Sequence, residues 1–405
     1  MSALENAKTM GKAEVIARIA ESGLLEFGVD RTPVAEKWNL VNEEREFQTN
    51  PIRVVAGLNN ADTNGALLAL LKENPEKVFA GMEIASVAVE AEEMYLYIPE
   101  KEAAYAEEIA DQAAVRGIQV KTGIVNCRES RGGAFHHIET LIAIADIFEG
   151  NYEPCTYMAV CKDGVTGPLV KVAYGTKISE LTGEVDARAI AVGTRLYDLS
   201  ALEMAVSEDT QIGNGVITVY GSKCCMIHEA EAVLETERRQ SCGKCTFCRE
   251  GLIQLHTMVK EITQGQGKKE FTDMMTEIGE AMTFSTSCTL GETASDFALG
   301  TLKYFASEYE DHIRKKKCAN NVCSAFMSIY IDPNLCEGCE ECADVCPKDA
   351  IEGKAGYIHM IDEFECDKCG KCIAACENDA IIQTTGRVPK LPTRLTKVGK
   401  FKKRR

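Results

Sequence analysis

The chain has 405 residues, of which 45% are hydrophobic and 26% charged, and its formal net charge is −17. This length is too great for one ordinary core and predicts about two to four domains. A surface of this charge repels phosphates, which argues against nucleic acid as a partner. No apolar run approaches the roughly 20 residues that span a bilayer, and residues 1–6 lack the charged and apolar regions of a secretory signal. A cytoplasmic location is therefore expected.

Residues 1–150 alternate between helical and strand patterns. Apolar residues at helical spacing predict helices, and short β-branched or aromatic runs predict buried strands. In chain order the predictions are a helix at 11–24, a strand at 54–56, a helix at 75–89, a strand at 94–98, a helix at 101–116, a strand at 119–120 and a helix at 136–149. This rhythm indicates an α/β domain with a small parallel or mixed sheet covered by helices.

The pattern changes after residue 150. Residues 151–227 contain short β-runs separated by Gly and Pro, with one short helix, which predicts a compact β-rich domain. Residues 228–316 carry apolar stripes at helical spacing and predict a bundle of about four short helices. A cysteine-rich module at 325–385 and a basic tail at 386–405 complete the chain. The predicted fold class is therefore α+β and multidomain.

Four cysteines of the helical segment form the first metal motif. Cys242, Cys245 and Cys248 follow C-x2-C-x2-C spacing in the turn between two predicted helices, and Cys288 stands alone after a later helix. Structural zinc prefers two paired C-x2-C hooks, whereas three cysteines with a distant fourth are typical of an iron–sulfur cubane. These cysteines are therefore predicted to hold a 4Fe-4S cluster.

Residues 325–385 contain two C-x2-C-x2-C-x3-C runs, the first followed by Pro347 and the second by Glu377. In a two-cluster ferredoxin each run gives its first three cysteines to one cluster and its fourth to the other. The predicted ligands are Cys336, Cys339, Cys342 and Cys376 for one 4Fe-4S cluster, and Cys366, Cys369, Cys372 and Cys346 for its neighbour. Three clusters predict electron transfer in an anaerobic or strongly reducing setting.

Seven of the 19 cysteines remain outside these motifs. Cys318 and Cys323 lie close together before the ferredoxin-like module. One interpretation is a small structural metal site, such as zinc, completed by His312 or His359, and the other is a pair of free thiols. The remaining five are interpreted as buried small hydrophobic residues: Cys127, Cys155, Cys161, Cys224 and Cys225.

Two further features have a plain and a functional interpretation. His136 and His137 are interpreted as a pair at a helix N-terminus, with metal ligation or flavin contact as the alternative. Residues 386–405 carry nine Lys or Arg and no acid. We expect a solvated, disordered tail in preference to an arm that docks on an acidic partner.

The order of these segments resembles the NADH-oxidising flavoprotein subunit of respiratory complex I. It resembles more closely the diaphorase subunits of electron-bifurcating iron hydrogenases, which append a two-cluster ferredoxin. The likeness covers residues 11–385. The family motif E-S-C-G-x-C-x-P-C-R-x-G stands here at residues 240–251, with Gln240 in place of the glutamate and Phe247 in place of the proline. Residues 152–221 resemble the β-grasp, or soluble-ligand-binding, domain of that family.

The resemblance weakens where the family binds FMN and NADH. Of the family loop G-F-P-T-G-x-K-W only Lys37 and Trp38 remain, and the glycines that let a backbone approach a phosphate are absent. The N-A-D-E-x-x-P-G segment survives only at residues 60–62, and G-E-E-T-A-L survives in part at residues 139–140. The glycine pair at 132–133 is a weak phosphate-loop signal, and a turn explains it equally well.

The resemblance therefore implies an iron–sulfur electron-transfer subunit of a multi-subunit oxidoreductase complex, of the electron-bifurcating kind. FMN and NADH are expected to be absent from this subunit and to belong to partner flavoprotein and iron–sulfur subunits, with ferredoxin as a further partner. The alternative is an NADH-oxidising FMN diaphorase whose flavin site uses divergent residues around 60–65 and 139–140. A third interpretation is a scaffold in which the clusters are structural staples.

Overall fold

The computed structural model describes residues 3–58, 62, 64–125, 132–385 and 387–401. The chain forms two compact units. Unit 1 comprises Met1–Cys224, Glu229–Met258 and Glu270–Ala306, and unit 2 comprises Cys225–His228, Val259–Lys269 and Ser307–Arg405. Within the described ranges, none of the helices is both long and apolar enough to cross a bilayer.

Unit 1 begins with a sheet of four parallel strands in the order β3-β2-β1-β4. The strands are β1 (Arg53–Gly57), β2 (Glu93–Ile98), β3 (Ile118–Thr122) and β4 (Ala134–His137). The chain leaves β1 on one side to form β2 and β3, and it returns to the other side to form β4. The C-terminal ends of β1 and β4 therefore flank a topological switch point, which is where ligands bind in open α/β sheets.

Helices cover this sheet, which confirms the α/β prediction for the first 150 residues. They are α1 (Ala3–Met10), α2 (Lys12–Ser22), α3 (Val34–Glu43), α4 (Ala66–Glu73), α5 (Pro75–Val89), α6 (Ala103–Val115) and α7 (Ile138–Glu149). Their apolar faces bury a continuous core that includes Trp38, Phe79 and Leu96. Burial of this apolar surface is the main force that holds the helices on the sheet.

The two adjacent histidines lie at the junction of β4 and α7, at the helix N-terminus interpreted from the sequence. Both end strand β4, and His137 also caps α7, because its Nδ1 accepts a hydrogen bond from the Glu139 N–H at 3.3 Å. Neither faces solvent: His136 is fully buried and His137 nearly so. The four-residue strand has no clear sequence pattern of its own, because two histidines occupy half of it.

A second, mixed sheet follows in unit 1. Its strands are β5 (Cys155–Lys162), β6 (Val165–Thr166), β7 (Val170–Ala173), β8 (Ala187–Val192), β9 (Arg195–Tyr197) and β10 (Val216–Gly221), and helix α8 (Ile178–Thr182) lies between β7 and β8 in the chain. The strand order is β6-β5-β10-β8-β9, with β7 also paired to β5. Only the central pair, β5 and β10, is parallel.

Six helices form the next segment of the chain. They are α9 (Met226–Gln240), α10 (Thr246–Thr263), α11 (Phe271–Ser285), α12 (Thr289–Thr293), α13 (Asp296–Tyr304) and α14 (Ala306–Ile313). In unit 1, α10 and α11 approach closely at Gly251, where an added Cβ would lie 2.6 Å from the Met282 sulfur. This contact positions the start of α10 relative to the residues that follow α11.

The ferredoxin-like part of unit 2 is built from two similar halves. Its elements are β11 (Ser328–Ile331), α15 (Glu341–Asp344), β12 (Ile351–Glu352), β13 (Met360–Ile361), α16 (Lys371–Ala375) and β14 (Ile381–Thr384). β11 pairs with β14 and β12 pairs with β13, both antiparallel. Each half places one short helix within its cysteine run, and a small core around Ile329, Ile358 and Ile381 joins the halves.

Candidate metal centres

The structure brings together the four cysteines predicted for the helical segment. Cys242 and Cys245 lie between α9 and α10, Cys248 lies in the first turn of α10, and Cys288 immediately precedes α12. Burial, and then the other three thiols nearby, raise the pKa of Cys248. The Ser241 hydroxyl lies 3.2 Å from the Cys248 sulfur. Four converging thiols are the donor set that a 4Fe-4S cluster requires.

The two cysteine runs of unit 2 exchange their fourth members. Burial and the thiols of Cys336, Cys339 and Cys376 raise the pKa of Cys342 to about 12. In the second group, burial and the thiols of Cys366 and Cys346 raise the pKa of Cys372. Cys376 therefore faces the first run and Cys346 faces the second, which is the crossed arrangement of a two-cluster ferredoxin.

Backbone amides support the two crossing cysteines in the same way. The Ala350 N–H donates to the Cys346 sulfur, and the Ala380 N–H donates to the Cys376 sulfur, both at 3.4 Å. Hydrogen bonds to sulfur stabilise negative charge on a thiolate or a reduced cluster. The two halves of the module therefore offer similar support to a bound cluster.

A separate buried site in unit 2 consists of three thiols and one imidazole. The ligand atoms of Cys225, His312, Cys318 and Cys323 all lie within 4.8 Å of one another, and all four residues are buried. His312 Nε2 lies 3.5 Å from the Cys225 sulfur and 3.4 Å from the Cys323 sulfur. Its Nδ1 lies 2.8 Å from the Glu308 carbonyl oxygen, which directs Nε2 toward the thiols.

The electrostatics of this site favour a cation at its centre. Burial alone would lower the pKa of His312, but hydrogen bonds with Cys225 and Cys318 raise it to about 10. Hydrogen bonds from Cys225 and Cys323 lower the pKa of Cys318. Three cysteines with one histidine form a donor set typical of structural zinc.

Sequence reasoning found only part of this set. The metal interpretation names Cys318 and Cys323 with either His312 or His359, and two free thiols are its alternative. His359 is buried next to Gly353 and does not belong to the group. Cys225 does belong, so its interpretation as a small hydrophobic residue is wrong. It lies 87 residues from His312 in the chain, and no spacing rule joins residues so far apart.

The remaining unassigned cysteines are dispersed. Cys161 is buried, whereas Cys155 and Cys224 are partly exposed. Cys127 lies outside the described residues, as do Asn60, Ala61 and Thr63 of the family-like acidic segment. Asp62 of that segment is buried, and its carboxylate accepts a hydrogen bond from the Leu68 N–H at 3.2 Å.

A cleft of unit 1 lies at the switch point of the parallel sheet and reaches the bundle cysteines. Its lining includes Gly57 at the end of β1, His137 at the end of β4 and Cys288. Its volume is about 210 Å³, and two further cavities, of about 410 and 430 Å³, share lining residues with it. Gly133 precedes β4, at the other end of that strand, and packs against the Arg53 backbone. Close packing therefore explains that glycine without a phosphate.

The lysine retained from the family loop is fully engaged inside this cleft. The Lys37 ammonium donates to Glu26 Oε2 and Asp30 Oδ2, both at 3.0 Å, and to the Phe135 carbonyl at 2.9 Å. An ammonium group has three donors. Burial alone would raise the pKa of Glu26, but Lys37 and His136 hold it well below its usual value. Two carboxylates thus face one lysine where the family cradles a phosphate.

The buried pair predicts a large stability effect at Lys37. Lys37→Met should lower the free energy of unfolding by about 3–5 kcal/mol, because it removes the lysine that pairs with the buried Glu26 carboxylate. Lys12→Met is a matched control: it breaks the exposed pair with Glu90 and should cost about 1 kcal/mol or less. Urea unfolding of both variants measures the difference, and equal losses would contradict the buried network.

Two family models match the chain. The NADH-ubiquinone oxidoreductase-F iron-sulfur binding region matches residues 228–312, and a 4Fe-4S dicluster domain matches residues 328–377. Residues 228–312 of this chain are therefore similar to the iron–sulfur region of NADH-ubiquinone oxidoreductase F subunits. The matched ranges contain all twelve cysteines predicted for the three clusters.

Individual relatives are similar in sequence to this chain over part of their length. The NADP-reducing hydrogenase subunit HndC of Solidesulfovibrio fructosivorans is 37% identical over 142 residues, which are 35% of this chain and 29% of that relative. The mitochondrial 51 kDa subunit of NADH-ubiquinone oxidoreductase of Neurospora crassa is 30% identical over 122 residues, which are 30% of this chain and 24% of that relative. The matched segment thus spans less than a third of either relative.

A solved structure shows the likeness in fold. A chain of the NAD+-reducing NiFe hydrogenase in its H2-reduced state superimposes with a TM-score of 0.61, covering 78% of this chain and 66% of that chain. The sequence identity is 18%, so this match supports the fold alone.

Proposed function

We propose that this chain is an iron–sulfur electron-transfer subunit of a multi-subunit oxidoreductase complex. The observation that supports the proposal is that the thiols of the predicted groups lie near one another, Cys248 near Cys242, Cys245 and Cys288, Cys342 near Cys336, Cys339 and Cys376, and Cys372 near Cys366 and Cys346. Cys242, Cys245, Cys248 and Cys288 would hold one 4Fe-4S cluster; Cys336, Cys339, Cys342 and Cys376 would hold the second; and Cys366, Cys369, Cys372 and Cys346 would hold the third. Bound clusters supply one-electron carriers, and the protein sets their potentials by charge, hydrogen bonding and burial.

The residues of the switch-point cleft do not fit FMN. A flavin phosphate needs free N–H donors and a positive or neutral environment. Here Glu26 and Asp30 already occupy the Lys37 ammonium, so the retained lysine is not available to a phosphate. We infer that partner subunits bind FMN and NADH. Flavoprotein and iron–sulfur subunits, and ferredoxin, are the partners proposed for a cytoplasmic, anaerobic complex of the electron-bifurcating kind.

The β-rich segment at 151–227, interpreted as a β-grasp domain, and the helical segment at 228–316 would form the body that carries the first cluster. The module at 325–385 would carry the other two. The buried group of Cys225, His312, Cys318 and Cys323 would hold zinc as a structural ion. Its ligands come from two separate segments of unit 2, Cys225–His228 and Ser307–Arg405, so the ion would cross-link them.

The competing function is an NADH-oxidising FMN diaphorase with a divergent flavin site. Analysis of the purified chain for iron, acid-labile sulfide and flavin separates the two functions. We expect about twelve iron and about twelve sulfide atoms per chain, as three 4Fe-4S clusters require, and no flavin released on denaturation. Stoichiometric FMN would contradict the proposal in favour of the diaphorase, and iron without sulfide would contradict the clusters.

A further inference from the structure

The basic C-terminal segment packs on unit 2 and is not the solvated tail expected from sequence. Residues 387–401 carry five Lys or Arg and no acid, whereas residues 325–385 carry thirteen acids and four bases. The Ile358 N–H donates to the Thr396 carbonyl at 2.9 Å, and the Val398 N–H donates to the Gly356 carbonyl at 3.1 Å. Phe401 then packs against the core of the ferredoxin-like module. The basic segment therefore packs within its own chain, against a module whose sequence is acidic.

The C-terminal segment packs against the loop between β12 and β13, and that loop packs against the first cysteine run. The Gly356 N–H donates to the Gly338 carbonyl at 3.0 Å. Gly338 lies between Cys336 and Cys339 and has φ +73°, and a Cβ there would stand 2.7 Å from the Tyr357 carbonyl oxygen. A continuous series of backbone contacts thus links residues 396–398 to the loop that presents the first cysteines.

The second cysteine run is more open at the corresponding positions. Pro333, Cys336 and Gly338 of the first run are all buried. Their counterparts thirty residues later are Glu363, which is exposed, and Cys366 and Lys368, which are partly exposed. Phe364, two residues before Cys366, is 98% exposed. The two halves are alike in sequence, but their access to solvent differs.

We propose that residues 396–401 are positioning residues for the first site of the module, that of Cys336, Cys339, Cys342 and Cys376. By holding the loop between β12 and β13 against Gly338, they shield this site. The second site remains the one open to an external electron carrier. The inference rests on the proposed function, in which both sites hold clusters. Solvent access is one of the factors that set the potential and lability of a cluster. Residues 396–401 therefore make the two sites differ in potential and lability, although their sequences are similar.

The backbone N–H of Val398 provides a test of whether residues 396–401 hold the loop between β12 and β13 against Gly338. Val398→Pro removes the N–H that bonds to the Gly356 carbonyl, because proline has no amide hydrogen, whereas Val398→Ala keeps it. The full-length chain is compared in two backgrounds: Cys369→Ala, which disables the second site of the module, and Cys339→Ala, which disables the first. Both backgrounds also carry Cys288→Ala, so that the site of unit 1 contributes no iron. The readout is the rate of iron loss from the one remaining site to an excess of a small iron chelator.

Val398→Pro should accelerate iron loss from the first site about twofold to tenfold, the range expected for one lost backbone hydrogen bond. It should leave the second site unchanged, and Val398→Ala should change neither. Phe401→Ala, which keeps the backbone pairing, should give a smaller acceleration at the first site only. Equal acceleration at both sites, or none at the first, would overturn the inference.

Failure of the proposed function gives a different result. A wild-type chain that holds no iron and sulfide at either site of the module contradicts the clusters themselves. The shielding of the first site by residues 396–401 is then tested by alkylation of the thiols, followed by mass spectrometry. Cys336 should react more slowly than Cys366 in the wild-type chain, and Val398→Pro should abolish that difference. Equal reactivity of Cys336 and Cys366 in the wild-type chain would overturn the inference that residues 396–401 shield the first site.

Discussion

Cys288→Ala should remove one cluster and leave the other two intact. Cys288 lies with Cys242, Cys245 and Cys248 in unit 1, whereas the eight cysteines of the other two sites lie in unit 2. A cubane that loses one of four thiolates is expected to be lost or converted, because each corner iron needs its ligand. The purified variant should contain about four fewer iron atoms per chain, and its electron paramagnetic resonance spectrum should retain both signals of the ferredoxin-like module.

Cys161→Ala is the matched control for this substitution. Cys161 is also a cysteine of unit 1, but it is buried in strand β5 and belongs to none of the predicted sites. Its iron content and all three signals should match those of the wild-type chain. If all three signals persisted in Cys288→Ala as well, the ligand assignment of the first cluster would be wrong.

The second large effect is expected at the buried group of three cysteines and one histidine. Cys225→Ala should abolish the binding of one zinc ion per chain and lower the thermal midpoint of unit 2. The reason is that structural zinc contributes roughly 10 kcal/mol or more of binding energy that is coupled to folding. Zinc content by mass spectrometry of the metals, and thermal unfolding with and without a strong zinc chelator, measure both effects. The chelator should destabilise the wild-type chain and have little further effect on the variant.

The adjacent Cys224 provides the control. It precedes Cys225 directly but does not belong to the group of four. Cys224→Ala should therefore keep the zinc and its sensitivity to the chelator. A wild-type chain that contains no zinc, or a Cys225→Ala chain that retains it, would show that the group is a set of buried thiols with a structural histidine.

Local spacing determined how much of the metal sites could be predicted. The cysteines of the C-x2-C runs are neighbours in sequence, so their spacing alone reports that they can surround one cluster. Cys318 and Cys323 gave a weaker signal of the same kind. Cys225 and His312 are brought together only by the path of the chain through unit 2, and that long-range packing has no counterpart in a local pattern.

The switch-point cleft and the C-terminal segment were also only partly predictable, because long-range packing determines their structure. The sequence shows that Lys37 is retained, but not that Glu26 and Asp30 occupy its three donors together with a backbone carbonyl. The sequence also shows a basic tail, whose charge favours solvent. The backbone pairing at Tyr357 and Lys397 and the packing of Phe401 depend on a complementary loop some forty residues earlier. The β4 strand escaped prediction because two buried histidines replace the expected apolar residues.

The central claim is that this chain relays electrons through clusters and does not oxidise NADH itself. The most direct test follows the visible absorbance of the purified chain under anaerobic conditions while NADH, and then dithionite, is added. NADH should leave the cluster absorbance unchanged, and dithionite should bleach it. Bleaching by NADH in the absence of other subunits would contradict the account. Clusters that accept no electrons between about −700 and +450 mV would also contradict it, because they would be structural.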